Sequence, residues 1–310
     1  RAIQLYTNLI NRLKENGFNV DGFCITVDPP NARFTYKELD EKWNTGDNKL
    51  MELYSNLKKA TKDKEVLVLF NGANLHPAFL PELKTFNAYM CFDDPESSTK
   101  ISEPVAKYFD ACFVGNIASI NQYVGWGCKN VFFRPMGYSS IDIANTVNES
   151  FIKNSQKSID TLFLGERVSA WRRGRLDYLK EGLDNFYTAG NGWDRGYVDQ
   201  SQLPFLYRET KIGINLHNST GPINLRTYTL PANGIMQICD NKYFLGHIFE
   251  LDKEVVGYCD IEEVPELVNF YLRNEKLRHK IAINGWKRAT NEYDEVNTWE
   301  KQMLQISKLL

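Results

Sequence analysis

The chain has 310 residues, which at roughly 150 residues per domain predicts two domains, and its 43% hydrophobic and 25% charged residues are ordinary for a folded globular protein. Its 37 basic and 39 acidic residues leave a formal charge of −2, so no global field draws it to nucleic acid or to an anionic membrane. The longest unbroken aliphatic or aromatic run, Val66-Leu67-Val68-Leu69-Phe70, is far short of the roughly 20 residues that a bilayer span needs.

The chain opens on a helical period, with Ala2, Leu5, Tyr6, Leu9, Ile10 and Leu13 on one face and Gly17 placed to end it. Short apolar runs then read as strands at Phe18 to Val27, Val66 to Phe70, Ala88 to Phe92, Ala111 to Val114 and Val131 to Phe133. Helical patterns at Leu80 to Phe86 and Glu103 to Phe109 separate some of them. This alternation predicts βα units around a parallel sheet. A doubly wound domain normally opens with a strand, so the first strand of this one is expected to be missing from the chain.

Tyr138 to Ser158 is polar, rich in Ser and Asn and without clean period, which marks an inter-domain linker. A second series follows at Thr161 to Leu164, Phe186 to Thr188, Ile212 to Leu216, Ile235 to Cys239 and Val255 to Tyr258. Val264, Leu267, Val268, Tyr271 and Leu272 keep helical spacing, as does the tail from Val296 to Leu310. The expected organisation is a first α/β domain over 1–140, a linker over 141–158, a second α/β domain over 159–295, and a helix over 296–310 returning to the first domain. Two parallel sheets facing a cleft place ligands beyond the strand ends.

The six cysteines form no C-x-x-C pair, and most lie in apolar stretches, which predicts buried reduced thiols and a cytoplasmic protein. The four histidines show no zinc-site spacing. After the strand ending at Leu164 come Gly165 and then Ser169-Ala170-Trp171-Arg172-Arg173-Gly174 at a helix start. A cationic loop there can hold a phosphate through free N–H groups and forked arginines; the alternative is a solvated basic loop. Gly190 and Gly192 follow another strand and let the backbone approach a planar group such as a nucleobase, or simply make a turn.

The densest signal is Lys211-Ile212-Gly213-Ile214-Asn215-Leu216-His217, followed by a Gly-Pro loop and Asn224-Leu225-Arg226-Thr227-Tyr228-Thr229-Leu230-Pro231-Ala232-Asn233-Gly234. An arginine in the first turn of a helix facing a cleft points to an anion, unless a salt bridge within the domain holds it. In the first half, Asp93 and Asp94 end a strand but point to different sides, so they are not a paired acid/base dyad, and one can cap the following helix. His76 lies past another strand on the Asn71-Gly72-Ala73 loop, as a hydrogen-bonding residue or a catalyst.

The K-I-G-I-N-L-H strand, N-L-R-T-Y-T-L-P-A-N-G, Lys253 to Asp260, Tyr271-Leu272-Arg273-Asn274 and Ile281-Ala282-Ile283-Asn284-Gly285 together resemble the spore-maturation-protein CgeB-like glycosyltransferases. These are a branch of the two-Rossmann (GT-B) glycosyltransferases. Phe92-Asp93-Asp94-Pro95 and Arg134-Pro135-Met136-Gly137 look similar as well, whereas the region before Val66 adds little. The resemblance implies transfer of a sugar from a nucleotide-sugar donor, held by the second domain, to a glycan, protein or small-molecule acceptor held by the first. It implies no bound metal and no cofactor beyond the nucleotide-sugar substrate. Gly165, Arg172, Arg173, Gly190, Asn224, Arg226 and Thr227 would then belong to the donor site, with the arginines on the diphosphate. Asn215 and Tyr228 would line the sugar or ribose pocket, and His76 or Asp93 would stand on the acceptor side as catalytic candidates.

The chain departs from the family at Thr229, where relatives commonly carry a Glu suited to ribose hydroxyls. The rival readings are a catalytically silent relative that binds a sugar nucleotide or glycan, and an epimerase or phosphorylase on the same fold.

Overall fold

The structure is a computed structural model that describes residues 2–27, 35–70, 74–140, 143, 146–218 and 224–310, with side chains from residue 6 onward. Residues 71–73 of the His76 loop, the Gly221-Pro222 step, part of the expected linker, and the side chains of Ala2 and Leu5 lie outside this description. The chain divides into two compact units, Arg1–Pro135 with Trp299–Leu310, and Met136–Thr298.

The first unit is built on a parallel sheet whose described strands are β1 (Val66–Phe70), β2 (Phe86–Cys91), β3 (Ala111–Val114) and β4 (Val131–Phe133), in the order β1-β2-β3-β4. Nearly continuous apolar runs suit parallel strands, which are covered on both faces, and β3 is buried along its whole length. Leu39 and Leu50, Tyr54 and Leu57 from helices Tyr36–Asn44 and Asn48–Ala60 pack with Leu69, Tyr89 and Val114 into one core. The opening helix, Ala2–Glu15, stops as expected at Gly17, whose φ of +86° a side chain would resist.

Three expectations in this unit fail. Phe18 to Val27 forms no strand: Asp21 and Gly22 interrupt its alternation, and it is largely exposed, with Ile25 and Val27 only partly buried against the core. Leu80 to Phe86 yields only a 3₁₀ turn at Leu80–Glu82, because Pro81 starts the turn and the Phe86 N–H already bonds Glu65 O to open the β2 ladder. Glu103 to Phe109 is likewise reduced to the turn Ala106–Tyr108, since Pro104 lacks an N–H and disfavours helix at the residue before it.

In the second unit the described strands are β5 (Ile159–Leu164), β6 (Phe186–Ala189), β7 (Thr210–Asn215), β8 (Met236–Cys239) and β9 (Val256–Gly257), all parallel in the order β6-β5-β7-β8-β9. Helices Ala170–Gly182 and Glu263–Arg273 bury their apolar faces, with Leu179, Val264, Val268 and Tyr271 joining Ile212, Ile214 and Ile238 in the core. Within the stretch expected as linker, helix Glu149–Asn154 puts Ile152 into the same core. The final helix, Glu295–Ser307, carries the chain into the first unit from Trp299. There Arg134 lies over the Trp299 ring at 5.1 Å and donates from Nε to Gln302 Oε1 at 2.9 Å.

Candidate functional site

In the order β6-β5-β7-β8-β9 the chain leaves β5 toward β6 on one side, and β7 leads to β8 on the other. The loops after β5 and β7 therefore diverge, and a parallel sheet binds its ligands at such a switch point. Arg226, the first residue of helix Arg226–Ala232, reaches into this point. Its Nη1 donates to Leu164 O at 2.5 Å, its Nη2 to Leu216 O at 3.2 Å, and its Nε to Asn215 Oδ1 at 3.1 Å. The guanidinium also lies over the Phe163 ring, 4.8 Å from its centroid.

Arg172 comes to the same place from the first turn of helix Ala170–Gly182, whose start Ser169 caps by accepting from the Arg172 N–H. Its Nη2 donates to Leu216 O at 2.9 Å and its Nη1 to Glu166 O at 3.3 Å, while its buried Nε has no partner. The two guanidiniums thus share one carbonyl. Among the described residues neither has a carboxylate within ion-pair distance. Burial, and then the charge of Arg172, push the Arg226 pKa down to about 10. Burial also lowers that of Arg172, against the more distant charges of Asp240 and Glu166. A half-buried Arg226 beside a buried Arg172, both held only by neutral oxygens, is costly, and an anion between them removes that cost.

The backbone is shaped around this pair. A Cβ at Gly165 would collide with Arg226 Nη1, and one at Gly190, where φ is +132°, would collide with Gly165 O. Asn215 ends β7 fully buried, accepting from Asn224 Nδ2 at 2.8 Å and donating to Thr227 Oγ1 at 3.1 Å and Gln237 Oε1 at 3.0 Å. Asn224 Oδ1 in turn accepts from the Thr227 N–H, which fixes the helix start.

Three further expected donor-site residues stand apart from the arginine pair. Arg173 is exposed and donates to Val168 O in its own loop. Tyr228 is fully buried, its ring edge-on to Tyr293 at 5.2 Å and near Phe249. Thr229 is buried, with no hydrogen-bond partner for its hydroxyl.

His217 closes the strand motif singled out in the sequence but was given no role there, and Asp240 was not singled out at all. The His217 N–H donates to Asp240 Oδ2 at 2.8 Å, Nδ1 meets Asp240 Oδ1 at 2.5 Å, and Nε2 meets Thr227 Oγ1 at 3.1 Å. Both residues follow strand ends, which was the available signal. Their pairing depends on the β7–β8 register, where Asn215 lies beside Cys239. His217, Cys239 and Asp240 offer ligand atoms within 4.8 Å of one another. Burial raises the Cys239 thiol well above its ordinary value. Hydrogen bonding accounts for this cluster as it stands.

In the first unit His76 is buried and stacked on Trp43 at 4.7 Å. Its Nδ1 accepts from the Ala78 N–H at 3.2 Å and its Nε2 faces Asp40 Oδ1 at 3.2 Å, so both ring nitrogens are engaged in holding the loop. Asp93 is half-buried at the end of β2. Asp94 turns inward to accept from Tyr123 Oη at 2.5 Å, and burial raises its pKa.

Residues 168–305 match the sequence profile of the family described as "Glycosyl transferase-like". No curated protein matches the chain by sequence. Among solved structures it is similar to HepE from Anabaena in complex with UDP-glucose, at 13% identity and TM-score 0.57, over 82% of each chain. It is also similar to a glycosyltransferase from Rickettsia africae, at 12% identity and TM-score 0.62, over 99% of this chain and 94% of that one. TarM from S. aureus, solved as a mutant with UDP among its ligands, aligns at 14% identity and TM-score 0.58, over 82% of this chain and 58% of that one. The fold is therefore the GT-B fold of two parallel α/β units, as the sequence led us to expect.

Proposed function

We propose that the chain is a metal-independent glycosyltransferase of the CgeB-like branch, taking its sugar from a nucleoside diphosphate sugar. The observation that carries this reading is the Arg172–Arg226 pair at the switch point, two cations that share Leu216 O and have no carboxylate partner among the described residues. A diphosphate supplies the charge they lack, through forked hydrogen bonds. The same contacts strengthen as negative charge builds on the leaving diphosphate, so they lower the barrier to glycosidic cleavage. The UDP-glucose complex of HepE and the UDP complex of TarM make a UDP-sugar the first donor to test here. The acceptor is a glycan, protein or small molecule held by the first unit, where Asp93 remains the acceptor-side carboxylate. No helix among the described residues is long and apolar enough to cross a membrane. The six free cysteines fit a reducing, cytoplasmic setting.

Titration with UDP and UDP-glucose, in plain buffer and with excess chelator, tests the donor reading. Equal increases in melting temperature are expected in the two buffers. Binding that disappears with chelator refutes metal independence, and no binding in either buffer refutes the donor site. A second reading, a silent sugar-nucleotide-binding relative, is favoured by Thr229, whose short uncharged side chain stands where the family it resembles commonly carries Glu. UDP binding without any hydrolysis of donor sugars would select it.

A further inference from the structure

Parallel strands give the second sheet two unlike ends, and the arginine pair occupies only the end where strands finish. At the other end a cavity of about 290 Å³ opens beside the starts of β5 and β7. Its lining includes Lys153, Ser155 and Lys157 from the chain before β5, Lys211 from the start of β7, and Glu275, Arg278 and His279 from helix Glu275–Glu292.

Most of these cations are matched. Lys153 pairs with Glu149 at 2.7 Å and Lys211 with Asp160 at 2.5 Å. Arg278 meets Glu275 at 3.2 Å, but that carboxylate is mostly exposed while the guanidinium is buried and also donates to Tyr271 O at 3.0 Å. Lys157 is different. Its Nζ donates to Thr210 O at 2.9 Å and Gly234 O at 3.3 Å, and among the described residues no carboxylate pairs with it. The buried hydroxyl of Ser155 has no partner either.

We propose that this cavity binds a small phosphate-bearing molecule between Lys157 and Arg278, independently of the nucleotide-sugar site. A tetrahedral dianion accepts hydrogen bonds from several directions, matching donors that arrive from three separate elements; a planar carboxylate matches fewer. Burial and the nearby charge of Arg278 lower the Lys157 pKa to about 8, against the charge of Glu209. An anion placed between Lys157 and Arg278 reverses that effect.

The probe is inorganic phosphate, and the readout is acylation of lysine amines on the intact chain, followed by peptide mass spectrometry with chloride balancing ionic strength. Phosphate should slow labelling of Lys157 by about tenfold while leaving exposed Lys180 unchanged. The protection should persist with UDP at saturation. In calorimetry Lys157→Gln should weaken phosphate binding about tenfold or more, whereas Arg226→Ala should leave it intact. Equal labelling of Lys157 with and without phosphate overturns the proposal. So does phosphate binding that Arg226→Ala abolishes and Lys157→Gln spares, because the anion then sits at the donor site. Failure of UDP to bind would refute the donor reading alone and leave the Lys157 result standing.

Discussion

Replacing Arg226 by Ala separates an arginine that serves a ligand from one that serves the fold. Of the three acceptors Arg226 holds, two keep another donor: Leu216 O retains Arg172 at 2.9 Å, and Asn215 Oδ1 retains Asn224 at 2.8 Å. The substitution also removes the repulsion between the two guanidiniums. The melting temperature should therefore move little. Nucleotide affinity should move a great deal, because hydrogen bonds to a charged group contribute about 1.5–3 kcal/mol. That range corresponds to about 12- to 140-fold in Kd for UDP. The exposed Arg173, bonded only within its own loop, provides the control: Arg173→Ala should change Kd by less than about threefold. Calorimetric titration of both variants, with melting curves to verify folding, decides the matter. A Kd for folded Arg226→Ala within twofold of wild type, or an equal loss in Arg173→Ala, refutes the assignment of the diphosphate to the switch point.

Gly165→Ala should reduce UDP affinity about tenfold, because the new methyl group displaces Arg226 Nη1; unchanged affinity in titration would show that the guanidinium position is immaterial. Asp94→Asn should raise the melting temperature near pH 7. The wild-type carboxyl has a folded pKa raised by burial, so its penalty is absent below the unfolded value and grows as pH rises through the folded one. The gap between the variants should close in acid, and a gap that widens there contradicts the reasoning. Thr229→Glu should tighten ribonucleotide binding about tenfold while leaving a 2′-deoxyribonucleotide nearly unchanged, since a carboxylate can accept from both ribose hydroxyls. Weaker binding of both ligands would show that the family's ribose geometry does not carry over to this chain.

Strands were legible wherever an apolar run was bounded by polar or glycine residues. Val66–Phe70, Ala111–Val114 and Val131–Phe133 have the expected limits, and the other strands shift by a residue or two. Elements were overcalled where apolar spacing ran through a breaker. Pro81 and Pro104 reduced two expected helices to 3₁₀ turns, and Asp21-Gly22 dissolved an expected strand. The same logic divides the candidate site. Arg172 and Arg226 were visible because each opens a helix after a strand, a position that topology alone sends to the sheet's carboxyl end. The separation of Arg172 from Arg173 was not visible, since it turns on which side of one helical turn faces β7. The His217–Asp240 contact was equally hidden, because it requires the register of two strands with a helix between them.

Neutral oxygens surround both arginines, and that is more informative than the arginines themselves. A domain that needed Arg226 only to tie β5 to β7 could have balanced its charge with a nearby acid, and Asp240 stands close enough to be felt electrostatically. Asp240 is instead occupied by His217, through both the imidazole and the backbone N–H. Thr227 closes the circuit by meeting His217 Nε2 and Asn215 Nδ2. Asp240 is thereby tied to His217, and among the described residues neither guanidinium gains an ion pair at the strand ends. Holding their charge without a counterion costs stability in the free protein. The cost is recovered only when an anion arrives, and this ties the packing of β7 and β8 directly to diphosphate binding.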